Sequence, residues 1–180
     1  MTQNTGFYGG KYEPPEGSLL SAGRHLVRIV SAKPSFSQGA AHSLQLEVGC
    51  ANADGQITDF ININPKSTFH MMDLVAATGG KAVEDVAEET WATLWQTYDN
   101  LKNEAAVARF CEYLLKRTDR PFWISVLASV YNNKPQLKVG ALGGDRILAC
   151  TDEEAKAYQP PVEKVDGDGV ASNAPPPPSI

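Results

Sequence analysis

The alternation of apolar and polar positions is clearest in residues 121–142, which read PFWISVLASVYNNKPQLKVGAL. A period of two is typical of a β-strand, because successive side chains point to opposite faces. One predicted face is aliphatic apart from one aromatic ring and suits a core: Phe122, Ile124, Val126, Ala128 and Val130. Asn132 to Pro135 predicts a turn, after which alternation resumes. The stretch therefore predicts a β-hairpin whose other face carries Trp123, Tyr131, Lys134 and Lys138.

Three more strands are predicted in the first third of the chain. Residues 24–33 are partly apolar on both faces, which is expected of a central strand. Residues 42–50 place apolar side chains on one face and polar ones on the other, as in a half-buried strand. The sequence from Asn52 to Gly55 predicts a tight turn, and residues 56–64 form the third strand. Residues 24–64 therefore predict an antiparallel meander, with residues 34–41 as a loop.

A helical insert is predicted over residues 67–117, between the third and fourth strands. Ser67 is a helix-capping residue, and the first helix ends at Gly79 and Gly80. The second helix covers roughly 84–99, where four large apolar residues recur at helical spacing: Trp91, Leu94, Trp95 and Tyr98. The third helix runs from about Asn103 to Lys116. We interpret this apolar stripe of the second helix as facing the core rather than as a binding surface.

The order of elements predicts a mainly β protein with a helical insert, of the α+β type. Five strands with helices between strands three and four are the order of an OB-fold barrel. A generic α+β domain with an antiparallel sheet is the competing class. The predicted organisation is a flexible N-terminal arm over residues 1–22, the OB-fold-like domain over 23–150, and a disordered, acidic and proline-rich tail over 151–180.

The charge distribution permits a basic groove although the chain is acidic overall. The net charge is −5 over 180 residues. Residues 151–180 hold two lysines and six acidic residues, which gives 2 − 6 = −4, so the first 150 residues carry −5 + 4 = −1. A nearly neutral body can still present a local positive surface.

The cysteines and the chain start predict a reduced, cytoplasmic setting. Cys50, Cys111 and Cys150 are widely spaced and odd in number, so neither a disulfide framework nor a metal site is predicted. The N-terminal residues lack the basic-then-apolar pattern of a signal peptide, and no apolar run is long enough for a bilayer. We therefore expect no membrane association.

The sequence carries no recognisable catalytic motif. It has no glycine-rich phosphate loop and no nucleophile motif, and its three histidines lie on different predicted elements. Asp59 lies within a strand but has no evident partner carboxylate. We therefore predict that the protein is not an enzyme and needs no cofactor or metal.

Aromatic and basic side chains beside one another predict contacts with single-stranded nucleic acid, since rings stack on bases and cations bind phosphates. The predicted phosphate contacts are Arg24, Arg28, Lys33, Lys66, Lys134 and Lys138. The predicted stacking residues are Trp123, Tyr131, Phe60 and Phe36. The alternative for each cation is a solvated surface charge, and for each ring it is core packing.

Several segments resemble phage-encoded single-stranded-DNA-binding proteins with an OB-fold. These are the opening strand Gly23 to Ala32, the loop from Ser35 to Gly39, and the strands around Leu44 to Val48 and Ile57 to Ile63. The hairpin that begins Pro121-Phe122-Trp123 resembles their last two strands, so the resemblance covers roughly residues 20–142.

The resemblance implies single-stranded-DNA binding in phage replication or recombination, in the bacterial host cytoplasm, with replication or recombination proteins as partners. A homodimer is left open. The tail ends in Pro-Pro-Ser-Ile, without the dense acidic run and terminal aromatic of that family. The alternative function is a protein-interaction or virion-associated domain without nucleic-acid binding, in which the helical insert and proline tail are the working surfaces.

Overall fold

The computed structural model describes residues 19–38, 41–131, 133–141 and 146–161. Its strands are β1 (Gly23–Phe36), β2 (Leu44–Asn52), β3 (Gly55–Asn62), β4 (Phe122–Tyr131), β5 (Lys134–Val139) and β6 (Ile147–Ala149). Its α-helices are α1 (Thr68–Thr78), α2 (Glu88–Thr97), α3 (Glu104–Leu115) and α4 (Asp152–Lys156). Two short 3-10 helices cover Val83–Asp85 and Asp99–Leu101. In this part of the chain, no helix is long and apolar enough to cross a bilayer.

The named strands form one antiparallel sheet in the order β3-β2-β1-β4-β5, with β6 paired to β4. The predicted meander and hairpin are confirmed, and β1 is central as expected. β1 pairs with β4 through its first five residues and with β2 from Arg28 onward. The strand continues to Phe36, so the loop predicted from residue 34 begins later than expected.

The domain is mixed α/β with an open sheet, and the predicted closed five-stranded barrel is not seen. β3 and β5 approach one another, but no strand pairing joins them in the described residues. A sixth strand, which the sequence did not reveal, pairs with the first half of β4. Ser125 sits where the two edge strands meet: its carbonyl accepts from the Gly140 N–H at 3.0 Å, and its N–H donates to the Arg146 carbonyl at 3.0 Å. The edge of β4 is thus shared by two short strands.

One face of the sheet and the helical insert form a common core. Phe122, Ile124 and Val126 are buried, as the alternation predicted. Ala128 and Val130 are exposed, Val130 to 71%, so their assignment to the core was wrong. The reason is that the hairpin continues past the packed part of the sheet, and no described residue covers the aliphatic side of its tip.

The insert is helical over the predicted range and contributes aromatic side chains to the core. The predicted helix over 84–99 is instead a 3-10 turn followed by α2. Its stripe packs inward as expected, with the Trp95 ring 5.9 Å from the Phe110 ring and 6.3 Å from the Trp91 ring. The side chain of Asn103 caps α3 by accepting from the Ala106 N–H at 2.9 Å.

Both predicted ends of the domain extend further than the sequence indicated. Leu20, assigned to the flexible arm, is buried and its N–H bonds the Gln56 carbonyl on β3 at 3.0 Å. The tail predicted from residue 151 begins with helix α4, which Thr151 and Glu154 cap reciprocally. Residues 162–180 and 1–18 lie outside the described residues, so the predictions of a disordered tail and arm remain predictions there.

Candidate nucleic-acid interface

The side of β1, β2 and β3 that faces away from the core is called here the outer face. A register shift between Ile29 and Ser31 introduces a bulge into β1. Beyond the bulge, the odd-numbered residues of β1 point outward, next to the outward residues of β2 and β3. Two cross-strand rows result, Lys33–Glu47–Phe60 and Ser35–Gln45–Asn62. The outer face is therefore polar except for one aromatic ring.

Phe60 is the exposed aromatic of this face and lies on the edge strand β3. It is 52% exposed, whereas its neighbours Asp59 and Ile61 point inward and are buried. Beside it on β2 is Glu47, whose carboxylate pairs with Lys33 Nζ at 3.1 Å. This ring was among the predicted stacking residues, and the structure leaves it accessible.

The side of β5 that faces away from the core carries two further lysines. Lys134 and Lys138 are exposed, with Gln136 between them, and alternate with Leu137 and Val139, which turn inward. Lys33 lies two strands away from Phe60 in the row Lys33–Glu47–Phe60, while β5, which carries Lys134 and Lys138, comes close to β3 without pairing with it. The side chain of Tyr131, which pairs with Lys134 across the hairpin, lies outside the described residues.

Amide side chains follow Phe60 along the outer face. Gln45 Nε2 donates to Asn62 Oδ1 at 2.8 Å, and both residues belong to the row next to Phe60. Lys66 is exposed just beyond β3, in a turn where Asn64 Oδ1 accepts from the Lys66 N–H at 2.9 Å. Sequence reasoning did not include Gln45 or Asn62, although their polar positions in alternating strands were a usable signal.

Trp123 lies on the outer side of the sheet as predicted, but the chain covers part of it. Its cross-strand neighbours are Leu26 and Leu148, and its indole N–H donates to Glu154. The pKa of Glu154 lies below its usual value, chiefly because the Thr151 N–H donates to its carboxylate and also because of the Trp123 hydrogen bond. The indole is half-buried and packs at the first turns of α4.

Arg28 is covered by the same C-terminal segment, residues 151–161. Its guanidinium lies over the Tyr158 ring at 4.5 Å from the centroid, and its Nε is buried without a hydrogen-bond partner. The Tyr158 hydroxyl donates to the Ala51 carbonyl at 3.2 Å, which ties the segment to β2. The sequence analysis did not predict that residues 151–161 pack over Arg28. The capping pattern Thr151-x-x-Glu154 was a signal that a helix begins there.

The remaining predicted residues are placed apart from Phe60. Arg24 is exposed and pairs with Ser125 on the side of the sheet that carries Trp123. Phe36 is 48% exposed, but it pairs with Leu44 in register with the inward-facing residues. Phe36 and Phe60 therefore point to opposite faces of the sheet and cannot stack on the same run of bases within one flat platform.

A buried polar cluster lies on the inner side of the sheet, behind the outer face. Asp59 is 8% exposed and both of its carboxylate oxygens accept from the Arg146 guanidinium. Burial raises the pKa of Asp59, while Arg146 opposes that rise. Burial, and then the charge of Arg146, lower the pKa of His70 to about 4. Burial also raises the pKa of Cys50, so its thiol stays protonated.

Neither similarity to known proteins nor a metal site indicates what this surface binds. No protein-family model matches the chain, and no curated protein matches it either. Within the described ranges, no three His, Cys, Asp or Glu side chains are grouped so that they could hold a metal ion. The geometry of the outer face is therefore the ground on which a function can be argued.

Proposed function

We propose that the protein binds single-stranded DNA on the outer face and catalyses no reaction. The observation that carries this proposal is the 52% exposed ring of Phe60 on a sheet strand, with Lys33 in its cross-strand row and the lysines of β5 on a strand that comes close to β3. In the free protein, one face of this large apolar ring is in contact with water. Stacking a base on it removes that surface from water, while Lys33, Lys134 and Lys138 can bind the adjoining phosphates.

The topology supports an OB-type fold as the finer description of the domain. β1 is shared between two strand pairings, the helical insert follows β3, and β3 and β5 are neighbours. OB-folds bind oligonucleotides on the face of strands two and three and in the loops that join strands one to two and four to five. Phe60 lies on that face, and Lys134 follows the second of those loops.

The proposed site is smaller than the set predicted from the sequence. It contains Lys33, Phe60, Lys134 and Lys138, with Gln45 and Asn62 as hydrogen-bonding groups and Lys66 at its margin. Trp123 and Arg28 take no part while the C-terminal segment covers them. The biological setting proposed with it is phage DNA replication or recombination in the bacterial cytoplasm, alongside replication or recombination proteins.

The experiment is a fluorescence anisotropy titration of labelled oligo-dT with the full chain at 50 and 200 mM salt. Each phosphate contact contributes a slope of about −0.7 in log affinity against log salt for single strands. Three lysine contacts therefore predict a total slope of about −2, or roughly a tenfold to twentyfold loss of affinity over this range. A duplex of the same length should bind more weakly, since its bases are not free to stack. Absence of binding to oligo-dT at 50 mM salt would contradict the proposal.

A further inference from the structure

A groove in the helical insert has no part in the proposed DNA site. It has a volume of about 750 Å³ and runs between the end of α1, the 3-10 turn at 83–85, α2 and α3. None of the residues of the proposed DNA site lines it. Its floor includes the buried Trp91, and Leu94 and Val86 add apolar surface. A ligand of this groove would therefore bind at a place separate from the nucleic acid.

Two tyrosines form an aromatic wall of this groove. The rings of Tyr98 and Tyr113 are half-buried, and their centroids are 5.6 Å apart. The guanidinium of Arg117 lies over the Tyr113 ring at 5.2 Å, and the Phe110 ring stacks on the same tyrosine at 5.9 Å, so both contacts hold Tyr113 in place. Neighbouring aromatic rings in a shallow groove are the surface on which polyproline II segments dock, because such segments are preformed and lose little entropy on binding.

The chain itself contains a segment of matching chemistry. Residues 170–180 read VASNAPPPPSI and carry no charged side chain, with four consecutive prolines at 175–178. Consecutive prolines favour the polyproline II conformation. A neutral proline segment suits an apolar and aromatic groove whose rim carries charges of both signs, Lys81 and Arg117 against Asp85 and Glu89.

The C-terminal segment starts beside one end of the groove. Arg120 donates to Asp152, the first residue of α4, at 2.8 Å, and its side chain lies directly against Gly80. The preceding residue, Gly79, lines the groove. Gly80 has a φ of +70°, so a larger residue there would be strained and would also collide with Arg120.

The length of chain beyond the described residues is sufficient for the prolines to reach the groove. From Pro161 to Pro175 there are 14 residue steps, which span at most about 50 Å when extended. A domain of this size is roughly 40 Å across. The linker, fully extended, is therefore longer than its own domain is wide.

We propose that residues 175–178 dock in this groove as a polyproline II segment of the same chain. The groove in the helical insert is thus an interaction surface, and the proline segment of the same chain is the ligand that occupies it. Tethering presents the prolines at an effective concentration in the millimolar range, so even a weak intrinsic affinity keeps the groove occupied.

The test uses a labelled synthetic peptide of residues 170–180 and the full-length protein. One protein variant replaces all four prolines at 175–178 by Ala, which leaves the groove without its own ligand. We expect the peptide to bind this variant at least tenfold more tightly than it binds the unchanged chain, because the native tail competes. A peptide with the four prolines replaced by Ala should bind neither protein.

Two further variants, made in the tail-substituted chain, locate the binding. Thr90→Arg fills an exposed position of the groove lining and should abolish peptide binding without touching the core. Phe69→Ala removes an exposed ring of α1 that does not line the groove and should leave peptide binding unchanged. Circular dichroism of each variant verifies folding.

Three results would overturn the proposal. The first is no peptide binding to the tail-substituted chain, and the second is binding that Thr90→Arg leaves intact. The third is equal binding to the unchanged and tail-substituted chains, which would make the groove a site for proline segments of other molecules. None of these measurements contains DNA, so failure here is separate from failure of the proposed function.

Discussion

Replacing Asp59 by Ala is expected to lower the free energy of unfolding by about 3–5 kcal/mol. The substitution leaves the guanidinium of Arg146, 14% exposed, without the carboxylate that accepts its hydrogen bonds. A buried charge that loses its partner keeps the full desolvation penalty, which is why removing one member of such a pair is strongly destabilising. Urea denaturation of the full chain, followed by circular dichroism, measures the change.

The matched control is Glu47→Ala on the opposite side of the same sheet. Glu47 also has a cationic partner, Lys33, at 3.1 Å, but the lysine side chain is 50% exposed. An exposed pair of this kind contributes about 0–1 kcal/mol, so the control should change stability little. If Asp59→Ala proves no more destabilising than Glu47→Ala, Asp59 and Arg146 do not form a buried pair in solution.

Phe60→Ala is expected to weaken binding of oligo-dT by tenfold or more. Loss of one stacked base costs about 1–3 kcal/mol, and each 1.4 kcal/mol is a factor of ten in affinity. Since the ring is half exposed on a mostly polar face, the free energy of unfolding should change by only about 0.5 kcal/mol or less. Anisotropy titration at low salt, with a urea denaturation curve for each protein, separates the two effects.

Two variants serve as controls for Phe60. Phe69→Ala removes a ring of similar exposure, 55%, on α1 and should leave DNA affinity within about twofold of wild type, a change of under about 0.5 kcal/mol. Trp123→Phe keeps a ring at one of the predicted stacking positions but removes the hydrogen bond to Glu154. If Trp123→Phe weakens DNA binding while Phe60→Ala does not, the stacking surface lies under the C-terminal segment instead.

The period-two pattern predicted the strands and most of their faces, because strand geometry is local. The alternation within residues 56–64 predicts Ile57, Asp59 and Ile61 on one face and Phe60 on the other, and the structure has them so. The burial of Phe122 and Ile124 followed from the same rule. Local pattern was therefore enough to place the candidate ring on the side of the sheet away from the core.

Features that depend on distant contacts could not be predicted in this way. The partner of Asp59 is 87 residues away, at Arg146. Tyr158 reaches back over Arg28 and Ala51, so a residue assigned to a tail covers part of the expected site. The bulge after Ile29 reverses the alternation of β1, and this shift turns Phe36 toward the side opposite Phe60.

The central claim is that a single strand lies on the outer face over Phe60, and photo-crosslinking tests it most directly. Oligo-dT with 5-iodouracil in place of single thymines, bound to the full chain at low salt and irradiated, cross-links to the aromatic side chain on which that base stacks. Mass spectrometry of the digested product should place the cross-link at Phe60. Cross-links confined to the helical insert, residues 68–115, or to Trp123 with none on β3, would contradict the account.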